Sequence, residues 1–480
     1  MALSTSLSGE LCKLLGEEAV LSSEDELLVY ECDGYVVEKN RPDLVVFPES
    51  TQQVSDIVRL CNENHVPFLP RGAGTSLAGG CLPVGGGVMI SLTRMKRILE
   101  VNLRDRYAIV EPGLVNLHLS QHLRGTTYHY APDPSSQGSC TIGGNIATNS
   151  GGPHTLKYGV TVNHVLGMEL VLPNAEIIQT GGISEDNPGY DITGVLVGSE
   201  GTFGICTQAI VRITRDPESC RTMLAVFESV DDATNTISDI IASGIIPAAL
   251  EMMDQGILVA LEDAFHIGFP LDAEAVLLIE VDGLEVGMDK EASQIMTICN
   301  THDCRSVKLA KNAAERQQLW KCRKQAFGAV GRLAPSYCTQ DGVVPRTKLP
   351  EVLKTITQIG QQFDVRIVNV FHAGDGNLHP IVLFDERNSD QTKRALAASN
   401  AILDECIRVG GSVTGEHGIG VEKIDFMPKL FSPTDLSTMM KLRDAFNPDN
   451  RLSPNKMLPT SAGCSMESIE QIKPGRRAAL

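Results

Sequence analysis

Arg71-Gly72-Ala73-Gly74-Thr75-Ser76-Leu77-Ala78-Gly79-Gly80 is the stretch on which the reading of this chain turns. Glycine and small residues let successive backbone N–H groups turn inward and approach a phosphate that a Cβ would hold away. Single residues exclude two standard phosphate loops. The dinucleotide fingerprint G-x-G-x-x-G fails because Leu77 stands where the third glycine belongs, and the P-loop fails because Gly80-Cys81 replaces its Lys-Ser/Thr pair. A phosphate nest survives beside the plainer alternative, a glycine-rich turn with no ligand.

Outward from this loop the pattern is mixed. Leu44-Val45-Val46-Phe47 reads as a strand, and Gln52 to Asn64 carries Val54, Ile57, Val58 and Cys61 on one helical face. Short strands follow at Val88 to Leu92, Ile98 to Val101 and Ala108 to Val110, then a helix from Val115 to Leu123. A second polar, glycine-rich cluster runs from Pro132 to Gly152 and a third from Gly194 to Gly204. All three precede Arg215-Asp216-Pro217, which reads as a domain boundary. Beyond it strands and helices alternate in a βαβ-like order without glycine clusters: helices at Asp231 to Ser243, Asp254 to Asp263 and Val286 to His302, with a strand at Ala275 to Val281. A long polar helix holding the single Trp, Trp320, precedes Pro335, and the end from Thr460 reads as frayed.

Length and composition bound the function. At roughly 150 residues per domain, 480 residues make about three domains, or two with one drawn from separated segments. With 42% hydrophobic and 21% charged residues the chain is an ordinary soluble globular protein, and 44 glycines are its one excess. A net charge of −18 repels polyanions, and no basic patch offsets it, so a nucleic-acid partner is excluded. Thirteen cysteines with no C-x-x-C pair give neither a disulfide scaffold nor an iron–sulfur motif, and reduced thiols fit a cytoplasmic setting. No run of 18 apolar residues exists, so membrane association is expected to be peripheral or through a partner.

The densest chemistry lies between Arg366 and Asp385. Ile367, Val368, Val370 and Phe371 lead to His372, then Ala373-Gly374-Asp375-Gly376-Asn377-Leu378, then His379 and the run Ile381 to Phe384. Asp-Gly between β-rich runs is a hairpin signal. With Gly374 to Asn377 as the loop, His372 is expected to face His379, and directly opposed Cβ atoms lie about 4.5–5.5 Å apart, close enough for two imidazoles to share a cation. The structural alternative is an aromatic pair in a core. Downstream, Thr414-Gly415-Glu416-His417-Gly418 offers Glu416 as a third ligand, giving His₂Glu with an open position. His417, beside a ligand without being one, is the candidate base: an imidazole near its ordinary pKa can accept a hydroxyl proton.

Taken together, R-G-A-G-T-S-L-A-G-G, P-D-P-S-S-Q, T-I-G-G-N-I-A-T-N-S-G-G and G-S-E-G-T-F-G-I resemble the FAD-binding domain of the vanillyl-alcohol-oxidase/PCMH flavoproteins. F-H-A-G-D-G-N-L-H-P and G-G-S-V-T-G-E-H-G-I-G resemble the C-terminal half of the FAD-linked D-2-hydroxy-acid dehydrogenases, a family that includes the GlcD-type flavoprotein subunits of bacterial glycolate oxidase. The resemblance implies an α+β protein with a PCMH/VAO-type FAD-binding domain over 1–216 (core about 41–216), an α/β substrate (cap) domain over 217–410, a C-terminal segment over 411–460 returning to the flavin, and a disordered tail over 461–480.

It implies that Arg71, Gly72, Ala73, Gly74, Thr75, Ser76, Gly79 and Gly80 hold the FAD pyrophosphate. Pro132, Asp133, Ser135, Ser136, Thr141, Gly143, Gly144, Asn145, Thr148 and Asn149, with Gly198, Glu200, Gly201, Gly204 and Ile205, line the ribityl, flavin and adenosine portions. Thr75 and Ser76 stand where some members carry a flavin-linking His, so the FAD is expected to be non-covalent. His372, His379 and Glu416 match the family's ligands for a divalent metal, zinc first, with manganese or iron as alternatives. His417 matches its base, Asn377 its flavin-side polar residue, and Asn455 joins the cofactor set. Arg323, in Leu319-Trp320-Lys321-Cys322-Arg323, matches the arginine for the substrate carboxylate, a task suited to a bidentate guanidinium; an exposed helix arginine is the alternative.

The implied reaction is oxidation of a short D-2-hydroxy acid, glycolate or D-lactate, to the 2-oxo acid. Dehydrogenases for D-2-hydroxyglutarate place Asn where this chain has Ile381, which argues against a dicarboxylate. The implied partners are a second flavoprotein subunit and an iron–sulfur subunit, with a location in the cytoplasm or at the inner face of the membrane through them. A non-catalytic scaffold subunit is the alternative role.

Overall fold

The computed structural model describes residues 5–184 and 188–459; the expected disordered tail at 461–480 lies outside the described residues. Two compact units emerge. Met1–Ser150, Val160–Arg215 and Glu416–Leu480 make the first, and Gly151–Gly159 with Asp216–Gly415 the second.

The first unit holds two sheets. In the four-stranded sheet the order is Val20–Leu21, Leu44–Val46, Val88–Ser91, Phe68–Arg71, and the last three strands run parallel. Every residue of Val88–Ser91 is buried, as a strand flanked on both sides and covered on both faces requires. The helix Thr51–Glu63 buries Val54, Ile57, Val58 and Cys61, the face read from the sequence, and Ser50 caps it by accepting from Gln53 N. The second sheet is antiparallel in the order Ile98–Asn102, Tyr107–Val110, Ile205–Arg212, Val165–Val171, Ile177–Gly181. Alternate residues of Ile205–Arg212 are buried, the period-2 signature of a sheet with one face on the core.

One helix escapes the sequence pattern. Ile142–Thr148 is helical although it contains Gly143 and Gly144, both poor helix formers. Thr141 starts it by accepting from Gly144 N at 3.2 Å, and Ile142 and Ile146, one turn apart, anchor it in the core.

In the second unit the strands follow the order Ser306–Leu309, Ser219–Phe227, Ala275–Gly283, Ala249–Asp254, Arg366–His372, Asn377–Leu378, Gly342–Val343. Pro380–Phe384 pairs both Arg366–His372 and Ser336–Thr339. The strand and helix order is the one read from the sequence, but neighbouring strands pair antiparallel, which corrects the βαβ-like reading. Ser219–Phe227 and Ala249–Asp254 are joined by the helix Val230–Ala242, yet Ala275–Gly283 inserts between them, a split βαβ arrangement. Periodicity locates such elements without saying which strand slips between which.

The hairpin register also differs from expectation. His372 pairs with Asn377, Asn369 with Pro380 and Arg366 with Leu383, so the loop is Ala373 to Gly376 and the pairing is displaced by two residues. Because side chains alternate with period two, a slip of two keeps each on its face. His372 and His379 therefore remain on one face as diagonal neighbours, within reach of long or ring side chains. Among the described residues no helix is long and apolar enough to cross a membrane.

Gly376 closes this loop with φ of +82°, and a Cβ there would lie 2.2 Å from Val344 O. Gly376→Ala should therefore destabilise the chain by about 1–3 kcal/mol, read as a lowered Tm against wild type.

Candidate active site

In the first unit the three glycine-rich clusters converge through backbone and amide bonds. Arg71 ends the strand Phe68–Arg71 and donates from Nη2 to Cys32 O at 3.0 Å, while its buried Nη1 has no partner. The Asn116 amide donates to Pro132 O and to Asn145 Oδ1, each at 3.0 Å, and Asn145 donates in turn to Ser150 Oγ. Those bonds tie the Pro132 segment to the helix Ile142–Thr148. Onto the same helix fold Gly198 N, donating to Ile146 O, and Glu200 N, donating to Ala147 O. Asn149 ends the helix in the left-handed region, and its Oδ1 accepts from Val162 N at 2.8 Å.

Glu200 carries the contact that brings the C-terminal segment in. Its carboxylate accepts from Ile419 N and Gly420 N, both at 2.7 Å. Burial raises its pKa against the lowering effect of those amides and of Lys456 and Lys423. Gly420 has φ of +55° and its ideal Cβ lies 1.9 Å from Ala78 O, so only glycine lets the segment reach the Gly72–Gly80 loop. Lys456, 1% exposed, donates from Nζ to Gly80 O. Asp33 accepts from Tyr35 N and from Cys81 N, the residue that follows Gly80. Pro132, Asp133, Ser135, Ser136, Thr148, Gly201 and Ile205 lie on these connected segments, and Asn455, with φ of +58°, precedes Lys456. A buried guanidinium nitrogen without a partner, a buried ammonium and a glycine-rich loop suit a phosphate-bearing group.

The second unit assembles the histidines. His372 and His379 are 4% and 1% exposed, their ring centroids lie 5.1 Å apart at 88°, and one ring nitrogen of each lies within 4.8 Å of the other. Each has a backing group. Glu251 is the direct cross-strand partner of His372, and its oxygens sit 2.8 and 3.0 Å from Nδ1. His379 Nδ1 lies 3.4 Å from Gln340 O and 3.7 Å from Asp341 Oδ1. Both Nδ1 atoms are thus turned toward oxygens of the same unit.

Helix Ala313–Val330 supplies the third side. Asn312 caps it, with Oδ1 accepting from Ala314 N and Glu315 N at 3.0 Å. Trp320, Arg323 and Phe327 follow one another on one face. Trp320 Nε1 donates to Glu280 at 2.7 Å, Arg323 Nη2 meets Glu251 at 2.5 Å, and the Phe327 ring meets His379 edge-on at 6.1 Å. Arg323 has no exposed surface, and its Nε and Nη1 have no partner. Burial would raise the Glu251 pKa, but the Arg323 guanidinium and His372 hold it below the ordinary carboxylate range. Asp341 accepts from Thr414 Oγ1 at 2.7 Å and Gly415 N at 2.9 Å, fixing the last residues of this unit; Asn377, buried, fills the space beside Gly415. Glu416 and His417, both half-buried, begin the next segment of the first unit one peptide bond further on.

Residues 42–181 match a family described as FAD binding domain, and residues 216–457 one described as FAD linked oxidases, C-terminal domain. The glycolate oxidase subunit GlcD of Escherichia coli is 44% identical over 446 residues, covering 93% of this chain and 89% of its own. The chain belongs to the FAD-linked oxidase family. The GlcD subunit of Bacillus subtilis is 41% identical over 454 residues (94% of this chain, 97% of its own), and a D-lactate dehydrogenase of Anaerostipes hadrus is 31% identical over 450 (91% and 92%). A structure of p-cresol methylhydroxylase with substrate bound aligns with a TM-score of 0.81 at 18% identity, over 94% of this chain and 96% of that one, which shows a shared fold. The oxidase is thus an FAD-linked enzyme with the expected α+β architecture.

Sequence reading missed Glu251, Asp341 and Lys456. Leu250-Glu251-Met252-Met253-Asp254 shares in the resemblance to the GlcD-type subunits, but a lone Glu in a strand gives no sign of the arginine and histidine that meet it. Asp341 stands in Asp341-Gly342, a turn signal, and Lys456 in a stretch rich in turn formers.

Burial pulls the Lys456 pKa from 10.5 down to about 8, against the raising effect of Cys81, Asp33 and Glu200. The folded chain therefore holds fewer protons there than the unfolded chain between about pH 8 and 10.5, and folding gains stability as pH rises through that window. For the flavin-free chain, Tm measured between about pH 7.5 and 9.5 should rise less in Lys456→Met than in wild type; equal slopes refute the assignment.

Proposed function

We propose that this oxidase converts a short D-2-hydroxy acid, glycolate or D-lactate, to the corresponding 2-oxo acid, with FAD held non-covalently in the first unit and a divalent cation held by His372, His379 and Glu416. The observation that carries the reading is the pair of buried imidazoles, each with Nδ1 turned to a backing oxygen and with one ring nitrogen of each within 4.8 Å of the other. Relatives named glycolate oxidase subunit and D-lactate dehydrogenase support the substrate class. Two imidazoles and a carboxylate with an open position suit zinc first, with manganese or iron as alternatives.

When bound, FAD supplies the acceptor for the Cα hydride, and the cation supplies polarisation of the substrate hydroxyl and carboxylate. The chain's own residues do the rest. Arg323 offers Nε and Nη1, buried and unpartnered, to the substrate carboxylate. His417 accepts the hydroxyl proton as the carbonyl forms. Asn377 and Asn455 stand with the flavin set. Burial of His372, His379 and Arg323 keeps bulk water from those groups, which strengthens each charge interaction. Electrons would then pass to a partner: the relatives' names, glycolate oxidase subunit, point to a multi-subunit complex, and the partners proposed are a second flavoprotein subunit and an iron–sulfur subunit, which would also bring the oxidase to the inner face of the membrane.

Anaerobic mixing of the flavin-loaded protein with glycolate or D-lactate should bleach the flavin absorption, and chelator treatment should suppress the bleaching until metal is restored. Bleaching by neither acid overturns the proposal. His417→Ala should slow flavin reduction by about 10²-fold or more while leaving the bound flavin spectrum intact. An unchanged reduction rate would favour the scaffold role.

A further inference from the structure

Two buried carboxylates meet the same helix three residues apart, and they differ in what they leave over. Glu280, 1% exposed, accepts from Thr222 Oγ1, from two nitrogens of Arg316 at 2.7 and 2.8 Å and from Trp320 Nε1 at 2.7 Å. Arg316 spends both of its facing nitrogens on that one carboxylate, so the group is a closed pin between helix and sheet. At Glu251, with no exposed surface, the count does not close. One oxygen meets Arg323 Nη2 at 2.5 Å and both lie within 3.0 Å of His372 Nδ1, while Arg323 keeps two further buried nitrogens without partners. Buried donors without acceptors are rare in native chains because each carries the full desolvation cost. A pin needs no such surplus; a held but incompletely used guanidinium is suited to receive an anion.

We propose that Glu251 is a positioning residue that couples two functions: its carboxylate holds the Nδ1–H of His372 and the Nη2 of Arg323 together, and so fixes the ligating nitrogen of the histidine and the anion-binding edge of the arginine through one side chain. This rests on the reading above, in which His372 ligates a divalent cation and Arg323 receives the substrate carboxylate. The sheet register makes the coupling geometric. Glu251 and His372 are directly opposed on the strands Ala249–Asp254 and Arg366–His372, with Met252 opposite Phe371 and Met253 opposite Val370 in the core. A shift of the carboxylate moves both partners. Neither Gln nor a shorter acid reproduces it: the Gln amide turns a donor toward a donor, and Asp at position 251 falls one methylene short of spanning both groups.

Full-length, flavin-loaded protein freed of divalent ions by a chelator should be titrated with Zn²⁺ by calorimetry. Wild type should bind one equivalent. Glu251→Gln should bind it about 10–100-fold more weakly, and its KM for the 2-hydroxy acid at saturating zinc should rise roughly tenfold or more. A purely structural ion pair would lower Tm without moving either quantity. Zinc affinity and KM both equal to wild type overturn the inference while leaving the metal reading intact; no zinc binding by wild type overturns the metal reading and this inference with it. Should the Gln variant fail to retain flavin, Glu251→Asp, which keeps the buried negative charge, decides: weaker zinc binding together with a raised KM supports the coupling, and wild-type values for either quantity overturn it.

Discussion

A carboxylate with no exposed surface constrains everything near it. Glu251 sits in the middle of a sheet, and taking such a charge out of water costs several kcal/mol unless a cation and good hydrogen bonds meet it. Arg323 and His372 do so, and each is fixed in turn. Arg323 stands on a helix whose neighbouring residues Trp320 and Phe327 are held by Glu280 and His379. His372 stands at the end of a strand whose register with Ala249–Asp254 is set by a core of Met252, Met253, Val370 and Phe371. Removing the Glu251 carboxylate alone would leave the buried Arg323 guanidinium without a counter-charge, a loss of about 3–5 kcal/mol. Helix, sheet and hairpin are therefore locked to one another at the place where two imidazoles share a face.

The first unit uses the same device on backbone rather than on side chains. The buried Glu200 carboxylate accepts two successive amides of the segment after His417, and Asp33 accepts the amide of Cys81 at the end of the glycine loop as well as that of Tyr35. A loop made of glycine and small residues has little side-chain packing of its own to order it. Such loops lose much conformational entropy on folding, and fixed acceptors with well-aligned N–H donors offset part of that loss. Asp341 does likewise in the second unit, accepting from Gly415 N and also from the Thr414 hydroxyl.

Much of this was legible in the sequence, and the limits have physical causes. The period of apolar residues locates the helix Thr51–Glu63 and the strands around it because burial on one face leaves a 3.6- or 2-residue trace. Facing survives a register error: placing the hairpin loop one residue late displaced the pairing by two yet kept His372 and His379 on one face. Long-range order leaves no local trace, so the strand Ala275–Gly283 inserting between two others was invisible, as was a glycine-bearing helix at Ile142–Thr148 started by a threonine and held by two isoleucines. Glu251 was illegible for the same reason. Its partners lie 72 and 121 positions away, at Arg323 and His372, and no spacing rule connects residues so far apart.

Charge shows how composition and structure answer different questions. A net charge of −18 belongs to the chain as a whole, and it disfavours extended polyanionic partners such as nucleic acids. The interior is another matter. Arg71, Arg323, Lys423, Arg443 and Lys456 are all buried, and Arg71 and Arg323 keep nitrogens without partners. In a low-dielectric interior such cations attract a small anion far more strongly than exposed ones do, and little salt screening reaches them. A pyrophosphate and a short carboxylate are both small anions that can be enclosed, whereas a polyanion must lie along the acidic exterior. The same chain can thus disfavour extended anions and suit compact ones, because its net charge is acidic while unspent basic groups lie buried.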